Sequence, residues 1–111
     1  MSLKLRVGGR LREIRKFRGL TQERLAERIE RSVDAVSALE RGLALPSFET
    51  LEKLADALDV PVRDFFDVEE DASEARVQML TRLMMHARAL SDADLEVAVE
   101  QVGVMARRAK R

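Results

Sequence analysis

The sequence predicts an all-α fold, five short helices followed by a two-helix hairpin, and three stretches carry that expectation. The segment Thr21–Gly42, TQERLAERIERSVDAVSALERG, reads as cap, apolar ladder, polar break, second cap and glycine stop. Residues 46–60, PSFETLEKLADALDV, repeat the pattern with a proline and serine before a leucine ladder. Residues 75–106 then carry two more apolar stripes, separated near Ala89–Asp92.

Taken in chain order, Val7, Leu11 and Ile14 mark the apolar face of a first helix reaching about Arg18, and Gly19 ends it. Thr21 can cap a second helix whose first turn holds Glu23, with Leu25, Ala26 and Ile29 on one face. Glu30–Ser32 breaks that ladder, and Ser32 can cap a third helix turning Val36 and Leu39 inward. Gly42 suits a left-handed terminus that costs most other residues roughly 1–2 kcal/mol. Helices this short do not stand alone, because isolated helices below about 12–15 residues are marginal in water. They must pack on each other, and Ala26 is small enough for a close approach. This is the grammar of a helix-turn-helix, whose second helix can lie in a DNA major groove.

Ser47 caps a fourth helix over Ser47–Leu58, with Glu49 in its first turn and Leu51, Leu54, Ala55 and Leu58 inward. Pro61 suits the first turn of a short fifth helix, Val62–Phe66, whose Phe65 and Phe66 close the base of the core. The expected organisation is a domain over 1–67, an acidic linker over 68–74 and a helical hairpin over 75–111. In the hairpin, Leu80, Leu83, Met84, Ala87 and Leu90 form one stripe. Leu95, Ala98, Val99, Val102, Met105 and Ala106 form the other, behind a cap at Ser91. Such a hairpin is too small to bury both stripes. It must dock on the first domain or on a second copy of itself, and the polar linker favours the second copy. The dimerisation surface expected is Leu80, Leu83, Met84, Leu95, Val99 and Val102. Gly103 costs a helix interior about 1 kcal/mol against alanine, which makes sense where another helix crosses closely.

At 111 residues the chain fits one domain with an appended element, and its core is aliphatic, with four Phe and no Trp or Tyr. Cysteine is absent, which excludes disulfides, thiolate metal sites and thiol nucleophiles. No apolar run approaches the ~20 residues of a membrane span, and the N-terminus lacks a signal-peptide core, so a cytoplasmic protein without membrane contact is expected. His86, the only histidine, has no ligand-spaced partner, so no metal is expected. No nucleophile–base set and no glycine-rich phosphate loop can be assembled, so neither enzyme activity nor a cofactor is expected.

The formal net charge of zero hides an asymmetry. Residues 1–44 hold eleven Lys/Arg against six Asp/Glu, +5; residues 45–72 hold two against nine, −7; residues 73–111 hold seven against five, +2. The helix-turn-helix segment therefore lies in the basic third, where local excess attracts phosphate more than the net value does. Lys4, Arg6, Arg10, Arg12 and Arg18 are candidate phosphate partners.

RxxRGLTQERLA, SVDAVSALERG and PSFETLEKLADALDV closely resemble the phage repressor and Cro class of helix-turn-helix domains, often called XRE-like. The resemblance covers about Val7–Asp67; the last helices resemble only the variable tails such proteins use for self-association. What it implies is a homodimeric, sequence-specific transcriptional regulator of double-stranded DNA, most simply a repressor. Gln22 matches the residue that in the family bonds a phosphate and braces the recognition helix. Ser32 and Val33 begin that helix, Val33, Asp34, Ser37 and Ala38 fall on slots facing base edges, and Arg41 matches a backbone contact. Arg15 and Glu40 match a structural ion pair between the first and third helices.

The chain departs from the family at three places. Glu30 stands in a turn slot usually held by glycine, which predicts a turn either strained or slightly reshaped. Arg31 stands in an apolar slot and gains a phosphate contact. Leu43-Ala44-Leu45 replaces a basic loop, either as an apolar contact between DNA-bound protomers or as a cover for the core. The recognition face also lacks Arg, Lys, Asn and Gln, the strong bidentate readers, at 33, 34, 37 and 38. Val33 and Ala38 can meet only thymine methyls, Ser37 bonds several bases weakly, and Asp34 either accepts from a cytosine amino group or complements the helix N-terminus. That poverty keeps an alternative open: an antitoxin-like or adaptor module with weak DNA binding, whose hairpin takes a protein partner.

Overall fold

The computed structural model describes residues 2–66 and 73–109, and every regular element in that range is helical. In order these are α1 (Leu3–Phe17), α2 (Gln22–Arg28), α3 (Val33–Glu40), α4 (Phe48–Leu58), a single 3-10 helix (Val62–Phe66), α5 (Glu74–Arg88) and α6 (Asp92–Ala109). The fifth helix expected after Pro61 is thus one 3-10 turn, closed by Asp64 N–H donating to the Pro61 carbonyl at 3.0 Å. Of the acidic segment expected at 68–74, residues 68–72 lie outside the described range. Ser73 and Glu74 belong to α5 instead, since the Ser73 hydroxyl accepts from Arg76 N–H at 3.1 Å and Glu74 opens the helix. Among the described residues no helix is long and apolar enough to cross a membrane.

Hydroxyl caps start the helices. Ser2, Thr21, Ser32, Ser47, Ser73 and Ser91 each accept from the backbone N–H three residues on, at 3.1–3.3 Å. Each satisfies a donor the first turn leaves orphaned, typically for about 1 kcal/mol. The first four helices stop on left-handed residues: Gly19 at φ 71°, Glu30 at 57°, Gly42 at 74° and Asp59 at 55°. After α1, α2 and α3 the two following amides turn back in the same way. Gly19 and Leu20 donate to Lys16 and Arg15, Glu30 and Arg31 to Glu27 and Ala26, and Gly42 and Leu43 to Leu39 and Ala38.

The chain divides into two compact units, Met1–Gln78 and Met79–Arg111. In the first, α1 packs on α3 and the 3-10 helix, α2 on α3 and α4, and α4 on the 3-10 helix. Their shared core is Val7, Leu11, Ile14, Leu25, Ala26, Ile29, Val36, Leu39, Leu51, Leu54, Leu58 and Phe65, all buried. Full burial of each large side chain contributes about 1.5–3 kcal/mol before entropy is counted. Glycine lets α1 approach α3: a Cβ at Gly8 would lie 2.7 Å from the Glu40 carbonyl oxygen and closer still to that of Leu39. Phe66, expected with Phe65 at the base of the core, is exposed.

In the second unit Thr81 and Met85 are the buried positions of α5, while Leu80 and Met84 are half-buried and Leu83 is exposed. The buried line of α5 therefore runs to one side of its leucine stripe. Helix α6 has no buried residue, and Leu95, Val99 and Val102 are exposed along it. The crossing helix that Gly103 suggests is absent within the described chain, where a Cβ there would meet only its own helix's Arg107 at 3.5 Å.

Candidate nucleic-acid interface

The candidate interface is built on the junction of α2 and α3. The polar break expected between them is a left-handed turn at Glu30, followed by Arg31 and the capping Ser32. A non-glycine residue pays about 1–2 kcal/mol for that conformation, because its Cβ crowds the following carbonyl. Helix α3 emerges with Val36, Leu39 and Glu40 buried, which turns the opposite side outward. On that side lie Val33, Ser37, Arg41, Asp34 and Ala38, within an arc of about 140° at 100° per residue. Ser32, Val33, Asp34 and Arg41 are exposed, and Ser37 and Ala38 half-buried.

Glu40 anchors the inner side. Its carboxylate takes Arg15 Nε at 2.6 Å and a second Arg15 nitrogen at 3.0 Å, a bidentate pair whose side chains are 10% and 2% exposed. A further Arg15 nitrogen donates to the Leu20 carbonyl at 2.8 Å, tying the pair to the bend between α1 and α2. Gln22 Nε2 donates to the same carboxylate at 3.0 Å from the first residue of α2. One carboxylate thus fixes α3 to α1 and to the start of α2. A glutamine amide carries two N–H donors, so Gln22 keeps a second one for another acceptor.

Arg41 donates from Nε to the Ser37 hydroxyl at 3.2 Å, one turn back along α3. Arg31 reaches the Thr50 hydroxyl at 3.4 Å, beside the capped start of α4. Leu43, Leu45 and Phe48 follow on the surface at 62%, 49% and 85% exposure, so the apolar loop does not cover the core.

Two cations proposed from charge alone have other work. Arg10 is 2% exposed and donates to the Asp64 carbonyl at 2.8 Å, holding α1 to the 3-10 helix. Arg18 donates to the carbonyls of Leu58 and Asp59 at 2.8 and 3.0 Å, closing the C-terminus of α4. Arg28 joins it there at the Ala57 carbonyl, 3.2 Å away. Arginine is suited to this position, where the last carbonyls of a helix lack partners and carry partial negative charge. Arg10 had a readable signal, since it sits at helical spacing between Val7 and Ile14 on the buried side of α1. Arg18 and Arg28 had none, because their acceptors lie 29 to 41 residues further along the chain.

Known proteins resemble this chain in sequence and fold. Residues 11–65 match the family described as Helix-turn-helix. The HTH-type transcriptional regulator DdrOP3 of Deinococcus deserti is 43% identical over 58 residues, 52% of this chain and 45% of that protein. The chain therefore spans less than half the length of that curated relative. The restriction-modification controller protein C.AhdI from Aeromonas hydrophila is 40% identical, with a TM-score of 0.55 over 56% of this chain and 94% of that one. The clp gene regulator ClgR from Corynebacterium glutamicum is 26% identical, with a TM-score of 0.58 over 92% of this chain and 95% of its own.

Proposed function

The chain belongs to the helix-turn-helix family, and on that footing we propose that it is a sequence-specific DNA-binding regulator of transcription, a homodimeric repressor acting in the cytoplasm. The observation that carries this reading is the asymmetry of α3, locked inside through Glu40 and open outside from Val33 to Arg41. The outer residues Ser32, Val33, Asp34, Ser37 and Ala38 enter the major groove. Gln22, Arg31 and Arg41 hold the sugar-phosphate backbone, Gln22 through the N–H that Glu40 does not use. Two α3 helices in a dimer then address half-sites about one helical turn, ~10 bp, apart. With no bidentate reader on the groove face, much of the selectivity comes from symmetry and DNA shape.

That same poverty favours a second reading, an antitoxin-like or adaptor module with weak DNA binding. A mobility-shift titration of the protein on its own promoter fragment separates the two. The regulator gives a shift at moderate salt that Gln22→Ala weakens and Ser37→Arg re-targets. No shift on any neighbouring fragment at low salt rejects the regulator and leaves the adaptor.

A further inference from the structure

Two exposed arginines of the candidate interface end on hydroxyls, and the two contacts differ in place. Arg31 reaches Thr50, a buried residue of α4. Arg41 reaches Ser37, and both belong to the outer side of α3. At about 100° per residue, the middle of the arc from Val33 to Ala38 falls between Ser37 and Arg41. Arg41 holds that one residue twice. Its backbone N–H donates to the Ser37 carbonyl at 2.9 Å, and its side-chain Nε donates to the Ser37 hydroxyl at 3.2 Å.

A serine hydroxyl has one proton to give and two lone pairs to receive. Within a helix it commonly turns that proton onto the carbonyl one turn back, here that of Val33. Among the described residues Ser37 makes no such bond, and its hydroxyl is engaged by Arg41. A guanidinium carries protons and no acceptor, so the contact has one direction only: Ser37 accepts. The lone pair left over is weakened by the adjoining positive charge, while the O–H is polarised and strengthened as a donor. A hydroxyl able to read a base either way is thereby set to donate.

In the major groove guanine, adenine and thymine each present an acceptor, at N7 and O6, N7, and O4, whereas cytosine presents only its amino donor. A fixed donor set against that amino group leaves two donors facing each other without acceptors, which is costly once water is excluded. We infer that Arg41 is a positioning residue for base reading: through Nε it sets the Ser37 hydroxyl as a donor, and the pair selects against cytosine at one position of the DNA site. The inference rests on the regulator reading above and adds the class of base edge that α3 selects. The two terminal nitrogens of Arg41 are left for the sugar-phosphate backbone, so one side chain couples grip to reading.

Selection from a random DNA pool, by the full-length chain and three variants, tests this. The unaltered chain should select a motif with one position at which cytosine is depleted about tenfold. Ser37→Ala should level that position. Arg41→Met should level the same position although the hydroxyl remains, and Ser37→Ala/Arg41→Met should do no more than either alone. Every other position should keep its preference, which a general loosening of α3 would not allow. If Arg41→Met weakens binding to all sequences but leaves cytosine depleted, Arg41 is a phosphate contact only and the inference is overturned. Levelling of a different position by Arg41→Met overturns it too, because Arg41 then reads a base itself. A motif without a cytosine-depleted position, or one that Ser37→Ala leaves intact, removes Ser37 as the reader. In each of these outcomes a motif is selected, so the regulator reading stands while the inference falls. No motif from any chain rejects both.

Discussion

Gln22 at the first turn of α2 and Glu40 at the last turn of α3 are joined at 3.0 Å, on the carboxylate that also holds Arg15. Removing either member of the buried pair strands the other charge. Arg15→Ala and Glu40→Ala should therefore each cost about 3–5 kcal/mol in denaturant unfolding. The joint replacement Arg15→Met/Glu40→Leu should recover most of that loss, because no unpaired charge remains. Gln22→Ala removes one hydrogen bond to a carboxylate that keeps its arginine, for about 1 kcal/mol. Equal costs for the single and joint replacements would show that packing, not charge, fixes α3.

Glu30 holds a left-handed conformation at φ 57°. Its amide, donating to the Glu27 carbonyl at 3.2 Å, would be unchanged by a glycine. Glu30→Gly should raise stability by about 1 kcal/mol, the steric cost less glycine's larger unfolded-state entropy. Glu30→Val should lower it, since β-branching crowds the same turn further. Thermal unfolding of the three proteins checks the order Gly, Glu, Val.

Two adjacent glycines in α1 should respond in opposite ways. A Cβ at Gly8 would press on the Leu39 and Glu40 carbonyls, which are backbone and cannot swing aside, whereas a Cβ at Gly9 meets nothing within 4 Å. Gly9→Ala should stabilise by about 1 kcal/mol through helix propensity. Gly8→Ala should destabilise by about 1–3 kcal/mol, because α1 and α3 must separate. Unfolding midpoints that rise in both variants would mean that α1 is not seated against α3.

Where structure is encoded locally, the residues announce it: Thr21, Ser32 and Ser47 cap the helices their spacing predicts, and Gly19 and Gly42 stop them. The strained turn was legible too, as a departure at Glu30. Charge was the misleading signal. Arg10 and Arg18 look like free cations in a basic third, but their acceptors at Asp64, Leu58 and Asp59 are 40–54 residues away, a pairing that only the packed fold creates. The side of α5 covered within the chain was not legible from apolar residues either, and the stripe expected to meet a second copy lies beside it. Thr81 is 1% exposed while Leu83 is 51% exposed, so burial there follows position around the helix and not hydrophobicity.

The division of labour among the arginines gives a salt-dependence test. Each phosphate neutralised contributes about −0.9 to the slope of log affinity against log salt, so removing one contact flattens the slope by about that amount. Arg31→Ala and Arg41→Ala remove exposed guanidiniums that, among the described residues, contact side-chain hydroxyls (Thr50 and Ser37), and each should flatten the slope by about 1. Arg18→Ala and Arg28→Ala remove guanidiniums committed to the last carbonyls of α4. These should lower the melting temperature and leave the slope unchanged, although all four substitutions alter net charge equally. A slope that followed net charge alone, flattening alike in all four variants, would mean that a diffuse basic field attracts the DNA and that α3 holds no fixed place on it.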